Sequence, residues 1–329
     1  SILLKKKINS VNFTIPINLF CSEFKAKNFK LGERVILKYK NENIGFISLK
    51  SKFEVKKNKF LKYIFGTSSK LHLGVSNYHR RIKNKDYSLG GKVFVYKNKL
   101  KKFFFTNNFL TLKKLRKVKR FDASFSTRNI PHVGHNLIQK KIMNKKNLTI
   151  FLILSVKNKY SPQMLINSYK ALKKNRIYKK INILFIYLPT FFAGPNEAFF
   201  QAKIFENMKF KSFYVGRDHA GFKNFYGKFD SQKIFEKIKS KIKIIKFNEP
   251  MICKICDVPV INRYKNRKSC PNCKGKNLQE LSGTNIKILI KRKKRDILSK
   301  MLDPFVYNFL KRNNFSLQND YLLYFYEQL

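Results

Sequence analysis

Three apolar runs of strand length, set between stretches with helical spacing, constrain this chain more than any other feature. "LTIFLIL" (148–154), "INILFIYL" (181–188) and "KSFYVG" (211–216) lack the alternation of a strand with one wet face. Around them lie four helical patterns: "PHVGHNLIQKKIMNKK" (131–146) with Pro131 in its first turn, "SPQMLINSYKALKKN" (161–175) with a Ser-Pro start, "GPNEAFFQAKIFENM" (194–208) and "DSQKIFEKIKSKI" (230–242). Buried strands alternating with helices predict an α/β fold of βαβ units and a parallel sheet covered on both faces, with "KVKRFDASF" (117–125) as a further strand. In such sheets ligands bind beyond the carboxyl ends of the strands.

Residues before this region read as mostly β. "VNFTIPINLF" (11–20) and "RVILKYKNENIGFISL" (34–49) are strand-like, the second with an Asn-rich hairpin turn in its middle. "FGTSSKLHLGV" (65–75) and "SLGGKVFVY" (88–96) carry glycine turns. The expected division is a β-rich domain over 1–112, a catalytic α/β domain over 113–248, a Cys-rich insertion over 249–281 and a C-terminal region over 282–329 that ends in a helical tail.

The formal charge of +54 in 329 residues suggests a polyanion partner. The lysines are spread along the chain, and Lys, Asn, Ile and Phe all use A/T-rich codons, so compositional drift over a solvated surface is favoured over nucleic-acid binding. No run approaches the roughly 20 apolar residues of a bilayer helix, and no signal-peptide core is visible. The chain opens at Ser1 without a Met, so a processed or incomplete N-terminus is expected. A cytoplasmic protein is expected, with its paired cysteines used for metal rather than disulfides.

Two segments follow predicted strands. In "FSTRNIPHVGH" (125–135), His132 and His135 are three apart on a first helical turn, so both imidazoles share one face beside free backbone N–H groups. That arrangement suits a polyphosphate. Arg128 at the strand-to-helix corner can hold an oxyanion with two parallel hydrogen bonds. A metal pair or an incidental pair of surface histidines is the plainer reading of the spacing alone. In "VGRDHAG" (215–221), Gly216 and Gly221 allow close approach, Arg217 brings permanent charge and His219 can donate to a phosphate or base. A turn with a local Arg-Asp pair competes with it.

"CKIC" (253–256) and "CPNC" (270–273) stand thirteen residues apart, and Cys253, Cys256, Cys270 and Cys273 make a tetrahedral Zn²⁺ site. Four thiolates leave no open position, so the metal is structural. The rival is a nucleic-acid zinc ribbon, which the basic "NRYKNRK" between the pairs would suit. Cys21 reads as a small buried hydrophobe. No GxxxxGK[ST] is present. Glu197, a first-turn carboxylate after "AGP", reads equally as a helix cap or as a functional group.

With both strand-end motifs in hand, the chain resembles the ATP sulfurylase (sulfate adenylyltransferase) family. The family's Q-T-R-N-P-x-H-x-x-H corresponds to Ser126 through His135, its A-G-P-R-E-A to "AGPNEA" (193–198), and its G-R-D-H-A-G is intact at 216–221, followed by "NFYG" (224–227). "FGTSSKLHLGV", "GGK" and "SGTNIK" (282–287) resemble further family segments, and the Cys-rich insertion resembles the metal site of some bacterial and archaeal members. The likeness runs from about residue 13 to 310, starts past the family's first N-terminal segment and includes no fused adenylylsulfate kinase.

The resemblance implies a Rossmann-like nucleotidyltransferase sheet with a PUA-like N-terminal domain, and the reversible conversion of ATP and sulfate to adenylyl sulfate and pyrophosphate. It implies that Ser126, Arg128, Arg217 and the backbone of Ala220 hold sulfate. It implies that His132 and His135 grip the ATP phosphates. Gly216, Arg217, Asp218 and His219 would lie against the nucleotide, with Thr127 and Asn129 completing the site. Mg²⁺ would arrive with ATP, and a homo-oligomer is implied. Three positions depart from the pattern: Ser126 stands for Gln, and Asn196 and Lys287 each stand for Arg.

Overall fold

The computed structural model describes residues 7–8, 11–12, 14–39, 41–96, 98, 122–154, 160–248, 250–257, 259–261, 270, 273 and 277–316. The basic "NRYKNRK" segment, the boundary expected near residue 112, the start of "KVKRFDASF" and the C-terminal tail lie outside them. The chain forms two compact units, one holding residues 1–115, 191–200 and 220–230 and the other 116–190, 201–219 and 231–329. None of the described helices is long and apolar enough to cross a membrane.

In the first unit, a two-residue pair, β1 (Lys7–Ile8) and β2 (Val11–Asn12), precedes β3 (Leu19–Cys21), α1 (Glu23–Asn28), β4 (Arg34–Tyr39), β5 (Glu42–Glu54), α2 (Lys57–Phe65), α3 (Leu73–Arg81) and β6 (Tyr87–Val95). An antiparallel sheet runs in the order β3-β6-β5-β4. The expected hairpin is β4–β5, with Asn41 at φ 63° in its turn. Ile47 and Leu49 of β5 face a core with Cys21, Ala26 and Leu89.

Three expectations for this region differ from what forms. "VNFTIPINLF" is two short strands, because Pro16 has no N–H for a ladder. The region is not mostly β after residue 56: Phe60, Leu61, Ile64 and Phe65 are buried on one helical face of α2, and "KLHLGV" opens α3. The glycines of "SLGGKVFVY" lie inside β6 rather than in a turn, and a Cβ on Gly91 would sit 2.0 Å from the Ser48 carbonyl oxygen across the sheet.

The second unit contains β7 (Ala123–Thr127), α4 (Val133–Met143), β8 (Leu148–Leu154), α5 (Pro162–Leu172) and β9 (Asn182–Tyr187). The division between units falls within α6 (Pro195–Asn207). After it come β10 (Ser212–Val215), α7 (Asp230–Lys237), β11 (Lys243–Lys246), β12 (Pro250–Cys253), β13 (Pro259–Ile261), β14 (Leu278–Glu280), α8 (Gly283–Lys291), α9 (Arg295–Met301) and α10 (Pro304–Arg312). The strands β11-β10-β7-β8-β9 form one sheet, every pair parallel. Taking β7 as the first strand, the order is the 3-2-1-4-5 half of a Rossmann sheet.

Every residue of β8 and β10 is buried, as their apolar runs require, and so is every residue of β7, where Ser124, Ser126 and Thr127 are buried hydroxyls. β9 was expected to be buried too, but it is the sheet's edge strand and Phe185 is 40% exposed. The Ser-Pro start of α5 forms as read, with Ser161 Oγ accepting from Met164 N at 3.1 Å. A three-stranded antiparallel sheet, β13-β12-β14, carries Cys253 at the end of its central strand.

Candidate functional site

Sheet order reverses between β7 and β10, so the segments leaving those two strands emerge at the switch point. They are 128–132 and 216–219, the two motifs singled out in the sequence.

The Thr127 hydroxyl accepts from Asn129 N (3.0 Å), which bends the chain out of the sheet. His132 is the N-cap of α4, in extended conformation (φ −142°, ψ 163°), and the helix begins at Val133. Pro131 therefore lies outside the helix, because the extended backbone at His132 ends the lead-in. The His132 side chain makes no capping hydrogen bond and instead stacks on His135, with centroids 4.0 Å apart and planes at 30°. Phe125 meets the far side of His135 edge-on at 5.3 Å. Both ring nitrogens of His132 and Nδ1 of His135 are shielded and unpartnered among the described residues. Burial lowers the His132 pKa to about 4. Burial, then the neighbouring His132, holds His135 well below the usual histidine value. Two neutral imidazoles thus sit at a helix N-terminus with donors and acceptors unspent, at a cost of about 1–3 kcal/mol for each orphaned group.

The 216–219 segment reaches the same place. The Arg128 charge, after burial, helps lower the His219 pKa to about 3. His219 Nε2 is 2.8 Å from Gln201 Oε1, and Ser126 Oγ donates to the same oxygen at 2.9 Å. Arg217 Nη1 is 3.4 Å from Glu280 Oε2, at the end of β14. Left-handed backbone occurs at Asp218 (φ 47°), which is exposed, and at Ala220 (φ 59°), while Gly216 is not left-handed. "SGTNIK" joins this group, since Gly283 opens α8 directly against the Asn129 side chain and a Cβ there would lie 2.3 Å from Asn129 Cγ. A cavity of about 210 Å³ opens at the start of α8, lined by Glu280, Ser282, Asn285 and Ile286 but not by the histidines.

The remaining motif residues belong to the first unit. The Ala220 carbonyl accepts from Gly194 N (3.0 Å). Asn196 donates to the Tyr63 and Ile64 carbonyls at the end of α2 (3.0 and 2.8 Å), so its amide caps a helix terminus. Glu197 Oε2 accepts from Ala193 N (3.2 Å), which favours the first of the two roles its sequence position allows, a helix cap. The Tyr226 hydroxyl of "NFYG" lies 3.1 Å from His72 Nε2.

Sequence reasoning missed Gln201 and Glu280. Gln201 is a lone polar residue in an apolar stretch of α6, and Glu280 carries no motif; only the fold brings them to the switch point.

The four cysteine sulfurs all lie within 4.8 Å of one another. A tetrahedral ion with four ligands at about 2.3 Å sets its sulfurs about 3.8 Å apart, so the cluster fits one metal ion.

Sequence comparison agrees with this architecture. Residues 109–313 match the profile of the ATP-sulfurylase family, and residues 3–98 match a PUA-like domain. The sulfate adenylyltransferase of Ignicoccus hospitalis is 29% identical, over 91% of this chain and 81% of that protein. That of Carboxydothermus hydrogenoformans is 30% identical, over 86% and 75%. Among solved structures, a hexameric APS kinase from Thiobacillus denitrificans superposes with a TM-score of 0.57 at 15% identity, covering 90% of this chain. The chain spans only 52% of that protein, and the likeness there is one of fold alone. With a parallel sheet in Rossmann order, a histidine pair at its switch point and a profile match across more than half its length, the chain belongs to the ATP-sulfurylase family.

Proposed function

We propose that this chain is a sulfate adenylyltransferase, converting ATP and sulfate to adenylyl sulfate and pyrophosphate. The observation that carries the reading is the stacked, neutral and unpartnered pair His132–His135 at the N-terminus of α4, beside the switch point. It offers N–H donors and a helix dipole to a polyphosphate without a competing internal partner among the described residues.

A sulfate oxygen attacks the α-phosphorus. The bond from that phosphorus to the bridging oxygen breaks, and its electron pair leaves on pyrophosphate. Sulfate is a weak nucleophile, so the protein's work is to position two anions and neutralise their charge. Arg128 and Arg217 supply the fixed positive charge for the oxyanion. His132 and His135 grip the phosphates that become pyrophosphate, Thr127 and Asn129 shape the turn, and Gly216–His219 lie against the nucleotide. Mg²⁺ enters bound to ATP as part of the substrate. Cys253, Cys256, Cys270 and Cys273 hold a structural Zn²⁺ that supplies folding energy and leaves no position for a reactant.

A second reading, an adenylyltransferase for another oxyanion, draws on Ser126 being bonded to Gln201 and Arg217 being paired with Glu280. The test of the first reading is ATP formation from adenylyl sulfate and pyrophosphate with Mg²⁺. Activity abolished by His132→Ala and by Arg128→Ala supports it, and a folded protein with no activity sinks it. Pyrophosphate release from ATP with selenate or molybdate but not sulfate would select the second.

A further inference from the structure

Gln201 stands at the meeting point of both strand-end segments. It lies on α6, only 2% exposed, in the part of the helix that belongs to the second unit. Its carboxamide oxygen receives Ser126 Oγ at 2.9 Å, from the end of β7, and His219 Nε2 at 2.8 Å, from the segment after β10. A carboxamide oxygen carries no proton and has two lone pairs, so two donors fill it. Ser126 therefore points its hydroxyl proton at Gln201, and the His219 ring carries its proton on Nε2. Nδ1 is left as that ring's acceptor.

We infer that Gln201 is a positioning residue of the site, fixing the ring proton of His219 on Nε2 and tying the 216–219 segment to the end of β7 through Ser126. The inference rests on the functional reading above in so far as His219 lies against the nucleotide. Other contacts hold the same residue, one at its backbone and one at its ring. The His219 carbonyl accepts from Ser231 Oγ at 2.7 Å, and Phe213 meets the ring edge-on at 5.6 Å. Arg128 is the charged group that acts on it, and its charge opposes a second proton on the ring. A neutral His219 with a bare Nδ1 offers the nucleotide an acceptor, such as an exocyclic amine requires, and no positive charge. Ser126 cannot donate to an oxyanion while its proton is held by Gln201, so it serves as a brace.

The experiment uses the full chain with ¹⁵N-labelled histidine. Long-range ¹H–¹⁵N spectra report the tautomer of His219, assigned through His219→Gln. Wild type should show the Nε2–H form. Gln201→Met keeps the volume and removes the acceptor; the Nε2–H form should give way to a mixture, and kcat/KM for adenylyl sulfate should fall about tenfold, the loss of one to two hydrogen bonds. Gln201→Glu keeps the acceptor and adds a charge; it should retain Nε2–H, recover most of kcat/KM, and raise the pKa of His219 above its wild-type value. Thermal melting accompanies each variant.

An Nδ1–H tautomer in wild type overturns the inference, even if no variant folds. So does a Gln201→Met protein with wild-type tautomer and kinetics, the result a packing role predicts. If wild type shows Nε2–H but forms no ATP, the functional reading fails and the positioning of His219 stands.

Discussion

Replacing Gly283 by Ala separates stability from activity in a way the packing at α8 sets. Gly283 is the first residue of that helix, after Ser282, whose hydroxyl accepts from Asn285 N at 3.1 Å. A Cβ added there meets Asn129 Cγ at 2.3 Å, Oδ1 at 2.4 Å and Nδ2 at 2.5 Å. These three nearest atoms all belong to the Asn129 side chain, so the relief is a rotation of that side chain. An off-rotamer asparagine costs about 0.5–1.5 kcal/mol. The loss of backbone freedom in the unfolded chain returns about 0.4–1 kcal/mol. The two nearly cancel, and the melting temperature should move by no more than about 3 °C. Asn129 belongs to the turn that carries Arg128, and a shift near 1 Å in such a site costs about a hundredfold in rate. ATP formation from adenylyl sulfate should therefore fall about a hundredfold in a protein that melts like wild type. Full activity would show that Asn129 positions nothing, and a large loss of stability would show that the side chain cannot yield. A cycle with Asn129→Ala completes the test: the two changes should couple, because removing the end of Asn129 removes the clash.

Three further perturbations follow from the same geometry. Changing Cys253 and Cys273 to Ser, whose sulfurs are 3.0 Å apart, should release about one equivalent of zinc per chain and lower the melting temperature; a metal-free wild type with unchanged melting would remove the zinc site. His132 has a folded pKa of about 4 against 6.5 when unfolded, so its contribution is complete above pH 6.5 and is lost as pH falls toward 4. That is about 3 kcal/mol, read as a steeper acid loss of urea stability in wild type than in His132→Gln; equal slopes would contradict the burial argument. Glu280→Gln releases Arg217 from its 3.4 Å ion pair and should lower the KM for sulfate severalfold with kcat little changed, whereas an unchanged KM would mean that Arg217 does not meet the oxyanion.

The centre of the second unit was legible because β8 and β10 are buried on both faces. "LTIFLIL" has no alternation to misread, and β8 forms where the run stands. β9 was misjudged, since an edge strand with the same composition differs only in what pairs beside it. The first unit was harder. The i, i+1, i+4, i+5 pattern of Phe60, Leu61, Ile64 and Phe65 spells a helix, but the neighbouring strand signals and glycines overrode it. The placement of the two strand-end motifs was readable because its signals are local: a turn after a strand, a helix N-terminus, a histidine pair three apart. Gln201 and Glu280 were not, because each acts on a residue distant in sequence that only the sheet order brings near.

The three departures from the family pattern have different physical consequences. Ser126 is absorbed by Gln201, and Asn196 by the carbonyls that end α2; each has a local partner that rewards the shorter side chain. Lys287 has no such relief. Burial, then Lys291 four residues on, lowers its pKa, so its charge is costly where it sits. An anion brought to the start of α8 would reverse that cost, and Asn129 already packs there against Gly283. A single cation with one compact charge holds an anion less directionally than a guanidinium fork. On the proposed function, the change at 287 therefore bears on how selectively an anion is held, whereas Ser126 braces the end of β7 against Gln201 and Asn196 caps α2 within the first unit.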